Sequence, residues 1–274
     1  KNKTKNGFGY TLKTQLILGI MLSKDPFEKF NLLPLSFSRV SSFINNKAQW
    51  YITYIHGYRS VSSAMQRGTV AEEAVMSILA DGISYKEACK NAIDKFDEAL
   101  KNHHDDKKEL ERNNIPIYIE GFISELKDYH ITDYQEKQEF TVLDIPLQGF
   151  TDFGLRDKEE NYFKVDLKSS GRMPTRLTHS IALQQTLYSR ATNQINKVLY
   201  CVVAKDNYKT KWFDITNQEM SMSYFEDILI SMHSFLSQCE THEDIKKGCV
   251  PILDDWIWGY DKKLTKVRKD IWKY

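Results

Sequence analysis

Residues 149–188 read GFTDFGLRDKEENYFKVDLKSSGRMPTRLTHSIALQQTLY and hold the side chains best suited to chemistry. Asp152 closes the run Gly-Phe-Thr-Asp, Asp166 and Lys168 flank Leu167, and Gln184 and Tyr188 stand four apart. Strand side chains alternate faces, so Asp166 and Lys168 point one way and Leu167 the other. A tight hairpin at RDKEEN would fold GFTDFGL back onto YFKVDLK and bring Asp152 beside Asp166. Two carboxylates at adjacent strand ends suit a hard octahedral cation such as Mg²⁺, which takes oxygen ligands and keeps several waters. A lysine one strand-step away supplies positive charge for a phosphate or an attacking water. Gln184 and Tyr188 fall in a helical stretch and share one face. A lone Asp-x-Lys is also an ordinary solvated strand end, and the hairpin charges also read as surface ion pairs. The order Gly-x-x-Asp, Asp-x-Lys, Gln-x-x-x-Tyr, on strand, strand and helix, is what favours a site.

Elements on either side must position these groups. Residues 34–55 read as a helix capped by Ser36 or Ser38, and its aromatic residues read as core. A second helix covers 61–82, with a buried stripe that includes Val70, Ala74 and Ile78, and with Gly68 allowing close backbone approach. Glu72 and Glu73 lie beside that stripe, either as solvated helix charges or, for Glu72, as an oxygen ligand. Residues 84–113 read as an amphipathic helix followed by a charged turn, and 115–129 as a helix after Pro116. His103 and His104 are adjacent, do not share a helical face, and read as surface. Strands are expected within 136–155, over NYFKVDLK, over NKVLYCVVAK and over TKWFDI, with the helix of Gln184 and Tyr188 between NYFKVDLK and NKVLYCVVAK. Glu139 reads as an exposed strand residue. The loop SSGRMPTRL offers Ser169, Ser170, Arg172 and Arg176, whose hydroxyls and guanidinium forks suit phosphate oxygens. A long helix follows from about residue 217, and the aromatic and basic tail reads as a docked amphipathic helix. The fold class is α/β, with a central mixed sheet flanked by N- and C-terminal helices.

The composition agrees with a soluble globular protein: 274 residues, 41% hydrophobic and 27% charged. The formal net charge is +1, so any nucleic-acid site must be a local basic patch. No apolar run approaches the roughly 18 residues of a membrane helix. The start, KNKTKNGFGYTLKTQLILGIML, is basic and then apolar, and TLKTQLILGIML could be a strand or a short helix. Asp25-Pro26 follows without a small-residue cleavage site, so a cytoplasmic protein is expected. Cysteines stand at 89, 201, 239 and 249 without a Cys-x-x-Cys pair, which disfavours zinc.

The combination GFTD, VDLK and QQTLY resembles the PD-(D/E)XK nucleases, in particular their RecB-like branch, which includes phage-type exonucleases. QRGTVAEEAV supplies the Arg-Gly-Thr element of that branch as Arg67, Gly68 and Thr69. The resemblance spans about residues 35–215 and implies a restriction-endonuclease-like core. With no internal repeat, low-complexity tract or obvious linker, one domain is expected over 1–274: helical at about 34–130, catalytic at about 135–215, and helical again at about 216–274. The resemblance also implies metal-assisted phosphodiester hydrolysis. Asp152, Asp166, Glu72 and the Leu167 carbonyl would hold Mg²⁺ or Mn²⁺. In many relatives a histidine stands at the position of Glu72. Lys168 would orient the water or stabilise charge on the phosphate, and Gln184 and Tyr188 would position the DNA or Lys168. Arg67, Ser169, Ser170, Arg172 and Arg176 are the candidate nucleic-acid contacts. The implied role is a DNA exonuclease of phage-type recombination or repair, partnered with a strand-annealing or recombination protein. A structure-selective endonuclease with the same site, and a catalytically inactive DNA-binding module, remain the alternatives. Some relatives carry an iron–sulfur cluster. Here Asn46 stands in place of the first cysteine and the C-terminal set is missing, so no cluster is expected.

Overall fold

The computed structural model describes residues 26–103, 106–216 and 218–274. The expectations for the N-terminal stretch and for His104 lie outside the described residues. The helices used below are α1 Phe37–Asn45, α2 Ser63–Leu79, α3 Tyr85–Ala99 and α4 Lys108–Leu126, then α5 His179–Thr192, α6 Gln218–Ser237, α7 His242–Gly248 and α8 Lys262–Trp272. The strands are β1 His130–Val142, β2 Ile145–Arg156, β3 Tyr162–Ser170, β4 Asn196–Ala204 and β5 Asn207–Asp214. They form one five-stranded sheet in the order β1-β2-β3-β4-β5. β2 pairs antiparallel with β3 through the hairpin expected at RDKEEN, β3 pairs parallel with β4, and β4 pairs antiparallel with β5. The mixed sheet flanked by helices is the architecture expected from the sequence. The parallel step follows from the helical crossover α5, since parallel neighbours cannot be joined by a tight turn.

The sequence predicts one domain. The packing groups the chain into two compact units, both discontinuous in sequence. Among the described residues, one comprises those within 61–138 and 150–221, the other those within 26–60, 139–149 and 222–274. The first unit carries every candidate site residue. Its core joins Val70 and Ala74 of α2, Phe96 of α3 and Tyr118 and Phe122 of α4 to Phe153, Val165, Leu167, Leu199 and Cys201 of the sheet. Each fully buried side chain of this size contributes about 1.5–3 kcal/mol. Alternation then dictates what faces the other way: Asp166 and Lys168 on β3, and Val198 and Tyr200 on β4. The second unit buries Phe43 against Trp50 and Phe235, with ring centroids 5.2 and 5.6 Å apart.

Several boundaries differ from those the sequence suggests. The helix expected over 34–55 is interrupted at Asn46, whose backbone is extended; its side chain accepts from the Gln49 N–H to cap the short helix Lys47–Trp50. Asn46 also donates to Asp255 Oδ2 at 2.8 Å. Pro116 does not start a helix but lies inside α4, which begins at Lys108, so ELERN is helical and not part of a charged turn. The tertiary contacts of Ile115, Tyr118 and Ile119 outweigh the local preference for breaking there. Strand β3 runs on through Ser169 and Ser170, where the sequence pattern suggests a loop.

Candidate active site

The hydrogen-bonded register of β2 with β3 runs from Arg156↔Tyr162 to Phe153↔Val165. Asp152 comes next on β2, and Asp166 next on β3. Here the Asp152 carboxylate, not a strand carbonyl, accepts from the Leu167 N–H at 3.0 Å. Asp166 and Lys168 project from the same face, as alternation requires, and Lys168 Nζ lies 2.5 Å from Asp166 Oδ2. The ammonium and the buried Asp166 oxygen form a charge-assisted pair.

Two glycines let neighbouring elements close on this fork. A Cβ at Gly68 of α2 would lie 3.3 Å from Ser169 Oγ, so the absence of a side chain lets α2 approach the end of β3. Gly154 faces Lys164 across the β2–β3 ladder, and a Cβ there would strike the Asp133 carboxylate. Lys164, almost wholly buried, uses that gap to pair with Asp133 and with Glu136 at 2.6 Å.

Burial dominates the electrostatics of the carboxyls, and their mutual repulsion adds to it. Burial, then the charges of Asp166 and Glu72, push the Asp152 carboxyl well above its usual range. Burial also raises Glu72, to about 7, with Asp166 adding to the rise and a hydrogen bond from Gln135 opposing it. Burial would lower Lys168, but Asp166 and Asp152 outweigh it and hold the ammonium charged above its ordinary range. Tyr188 is raised by burial and by Asp166 and Asp152, against a hydrogen bond from Gln184. That bond runs from Gln184 Nε2 to Tyr188 Oη at 3.4 Å. Thr178 positions the pair by capping α5, its side chain accepting from the Ile181 N–H.

The structure therefore brings Glu72, Asp152, Asp166, Lys168, Gln184 and Tyr188 into one electrostatic neighbourhood. Arg67 is engaged within the protein. It is 4% exposed, pairs with Glu111, donates to the Ser169 carbonyl and Oγ at 2.9 and 3.0 Å, and lies over the Tyr118 ring. An arginine on the buried stripe of α2 is satisfied within the protein, because an unpaired buried charge is costly. Ser169 Oγ is thereby engaged from within. Ser170 Oγ bonds the Arg172 backbone and its carbonyl accepts from Tyr118. Arg172 and Arg176 are exposed. At Leu167 it is the N–H, not the carbonyl, that the structure shows engaged with Asp152.

Two residues of β1 belong to this neighbourhood without any sign in the sequence. Gln135 has a left-handed backbone, φ 50°, and its Nε2 donates to Glu72 Oε1. A non-glycine residue in that region is uncommon and marks a local kink. Tyr134 lies alongside, raised by burial and then by Glu72. No motif marks either residue; the only signal is their place on the strand next to β2.

Among the described residues no three acidic, histidine or cysteine side chains converge as a preformed metal cage. The fork still fits a hard divalent cation. It offers two carboxylates whose mutual repulsion such a charge would relieve, and Asp166 Oδ2 is a buried oxygen already drawn to one cation, the Lys168 ammonium. Mg²⁺ typically takes only one or two protein carboxylates and completes its shell with water.

The sequence model of the PD-(D/E)XK nuclease superfamily matches residues 34–234. The chain belongs to that superfamily, a class of nucleases that generally use divalent metal ions. Among solved structures, a protein from Eubacterium rectale provisionally named as an exonuclease superposes with a TM-score of 0.47 at 11% identity, covering 91% of this chain and 89% of that one. A second, SSO0001, gives a TM-score of 0.33 at 10% identity over 75% of this chain and 94% of that one. No curated protein matches the chain significantly. No helix among the described residues is long and apolar enough to cross a membrane.

Proposed function

We propose that this chain is a metal-dependent DNA exonuclease whose centre is the fork between β2 and β3. The observation that carries the reading is Asp166. Its Oδ2 is buried and stands 2.5 Å from the Lys168 ammonium. Asp152 and Asp166 would hold Mg²⁺ or Mn²⁺, with Glu72 and the Leu167 carbonyl as further oxygen donors. When bound, such a cation neutralises charge on the phosphate and makes a water more acidic.

The protein's own groups have defined tasks. Lys168 stays protonated across the working pH range, so it acts as a fixed positive charge and donor toward the phosphate or the attacking water, and not as a general base. Tyr188 likewise stays neutral. Its oxygen accepts from Gln184, which leaves its O–H to donate to substrate or to a neighbouring carboxylate. Exposed Arg172 and Arg176 would contact the DNA backbone, while Arg67 holds α2 against β3. The role in phage-type recombination or repair, with an annealing protein as partner, belongs to this reading, as does a protein without an iron–sulfur cluster. An inactive binding module fits less well, because Asp152, Asp166 and Lys168 are all retained and assembled.

Incubation of the protein and Mg²⁺ with linear and with covalently closed circular DNA tests the reading. Degradation of linear DNA alone is expected. Nicking of the circle would replace the exonuclease with an endonuclease, and intact DNA of both forms would return the chain to a binding module.

A further inference from the structure

A second cleft lies on the same face of the sheet as the catalytic fork, on the opposite flank of α5. We propose that it seats a backbone phosphate of the bound DNA away from the scissile bond, an inference that rests on the nuclease reading above.

The register places it. Lys168 pairs with Tyr200, and Tyr200 with Lys211, so all three point to one face. At about 4.8 Å per strand, Lys211 stands roughly 10 Å across the sheet from Lys168. Helix α5 lies over β4. Gln184 and Ala182 differ by two positions and so project from opposite sides of that helix. Gln184 is on the side of the fork, and Ala182 lines the cleft.

The cleft is about 710 Å³ and is basic and rich in hydroxyls. Arg176, His179 and Lys211 line it, and Ser221, 1% exposed, forms part of its wall. The Lys211 ammonium is held 4.5 Å above the Phe213 ring and 3.4 Å from the Thr175 carbonyl, which keeps it over the opening. The one acid among the lining residues, Asp214, is paired with Lys197 at 3.3 Å. The cleft beside Glu72 has the opposite character. It contains Glu72, Glu73 and Asp81, and its Lys95 is paired with Glu73 at 2.7 Å. A polyanion at the fork is therefore repelled on the Glu72 side and attracted toward Arg176 and Lys211.

The test is DNA binding by Arg176→Gln, Lys211→Gln and the double variant, using a short end-labelled oligonucleotide in Ca²⁺ and again in EDTA across a salt series. Both positions are exposed, so unchanged circular dichroism and melting are the control for folding. The double variant should bind about tenfold more weakly at low salt. Its slope of log affinity against log salt should be shallower by about 0.7 for each phosphate that the protein ceases to neutralise. In cleavage assays KM should rise more than kcat falls. Wild-type affinity and salt slope in the double variant, with wild-type protein cleaving normally, would overturn the cleft and leave the nuclease reading standing. Displacement of the oligonucleotide by millimolar inorganic phosphate as effectively as by unlabelled DNA would also overturn it, as a small-anion site. Failure of wild type to cleave with any divalent cation would instead strike the nuclease reading, while weakened binding in the variants would still support the cleft.

Discussion

The backbone N–H of Leu167 donates to the carboxylate of Asp152 at 3.0 Å, so the residue between Asp166 and Lys168 is tied directly to the other strand of the fork. In a regular ladder that N–H would meet a carbonyl. Here a side chain takes it, and the Asp152 carboxylate is tied to the strand that carries Asp166.

Removal of Asp166 and removal of Lys168 should both stop cleavage, for different reasons. Asp166→Ala should weaken Mg²⁺ and Mn²⁺ binding. Lys168→Ala should preserve or tighten it, since it takes away a positive charge 2.5 Å from Asp166. Each should lower kcat by about 10²- to 10³-fold, the usual effect of deleting a preorganised electrostatic group. Metal titration by calorimetry, beside cleavage of end-labelled duplex, separates the roles. Full activity in Lys168→Ala, or unchanged metal affinity in Asp166→Ala, would sink the assignment.

Tyr188→Phe and Gln184→Ala should reduce cleavage while the fold persists. Tyr188→Phe keeps the ring and deletes only the hydroxyl that accepts from Gln184. Removing a single hydrogen bond costs about 0.5–1.5 kcal/mol of stability, so melting should shift little. Cleavage as fast as wild type in either variant would assign the pair to packing.

Metal affinity should rise with pH. Glu72 holds its proton up to about pH 7, and Asp152 is also raised. An unfolded carboxyl titrates near pH 4, so the metal-free folded state keeps protons that the unfolded chain has released. Their contribution to stability is complete below that lower value and is lost as pH rises toward about 7. Mg²⁺ takes the deprotonated groups, so its stabilisation grows over the same window. Thermal melts with and without Mg²⁺ at a series of pH values, for wild type and Glu72→Gln, measure both effects. An identical profile in Glu72→Gln would remove Glu72 from the account.

Arg67→Ala should destabilise the protein by about 3 kcal/mol or more, because it strands Glu111 as a largely buried charge. Arg67→Ala with Glu111→Ala should recover part of that stability. A DNA-binding arginine would behave differently, its removal weakening binding with little change in the denaturation midpoint. Urea titrations of the single and double variants, beside oligonucleotide binding, distinguish the two outcomes.

Much of the centre is legible in the chain because its motifs are local. Alternation along VDLK sets Asp166 and Lys168 on one face, four-residue spacing joins Gln184 to Tyr188, and the charged turn at 156–161 predicts the hairpin that brings up Asp152. These relationships depend on backbone geometry within a few residues, which sequence encodes directly. The mixed sheet and its flanking helices can be expected for the same reason.

Only tertiary structure decided the rest. Arg67 shares a motif with Gly68 and Thr69, yet whether its guanidinium meets DNA or protein depends on Glu111, 44 positions away. Pro116 is a helix breaker locally, but the core around Ile115 and Tyr118 holds α4 through it. Gln135 reaches Glu72 through a backbone kink that no pattern announces. The basic cleft arises because a parallel β3–β4 step and an antiparallel β4–β5 step set Lys211 in line with Lys168, far apart in sequence. Burial, charge pairing and strand order are properties of distant segments packed together, and their free energies come into being only when those segments meet.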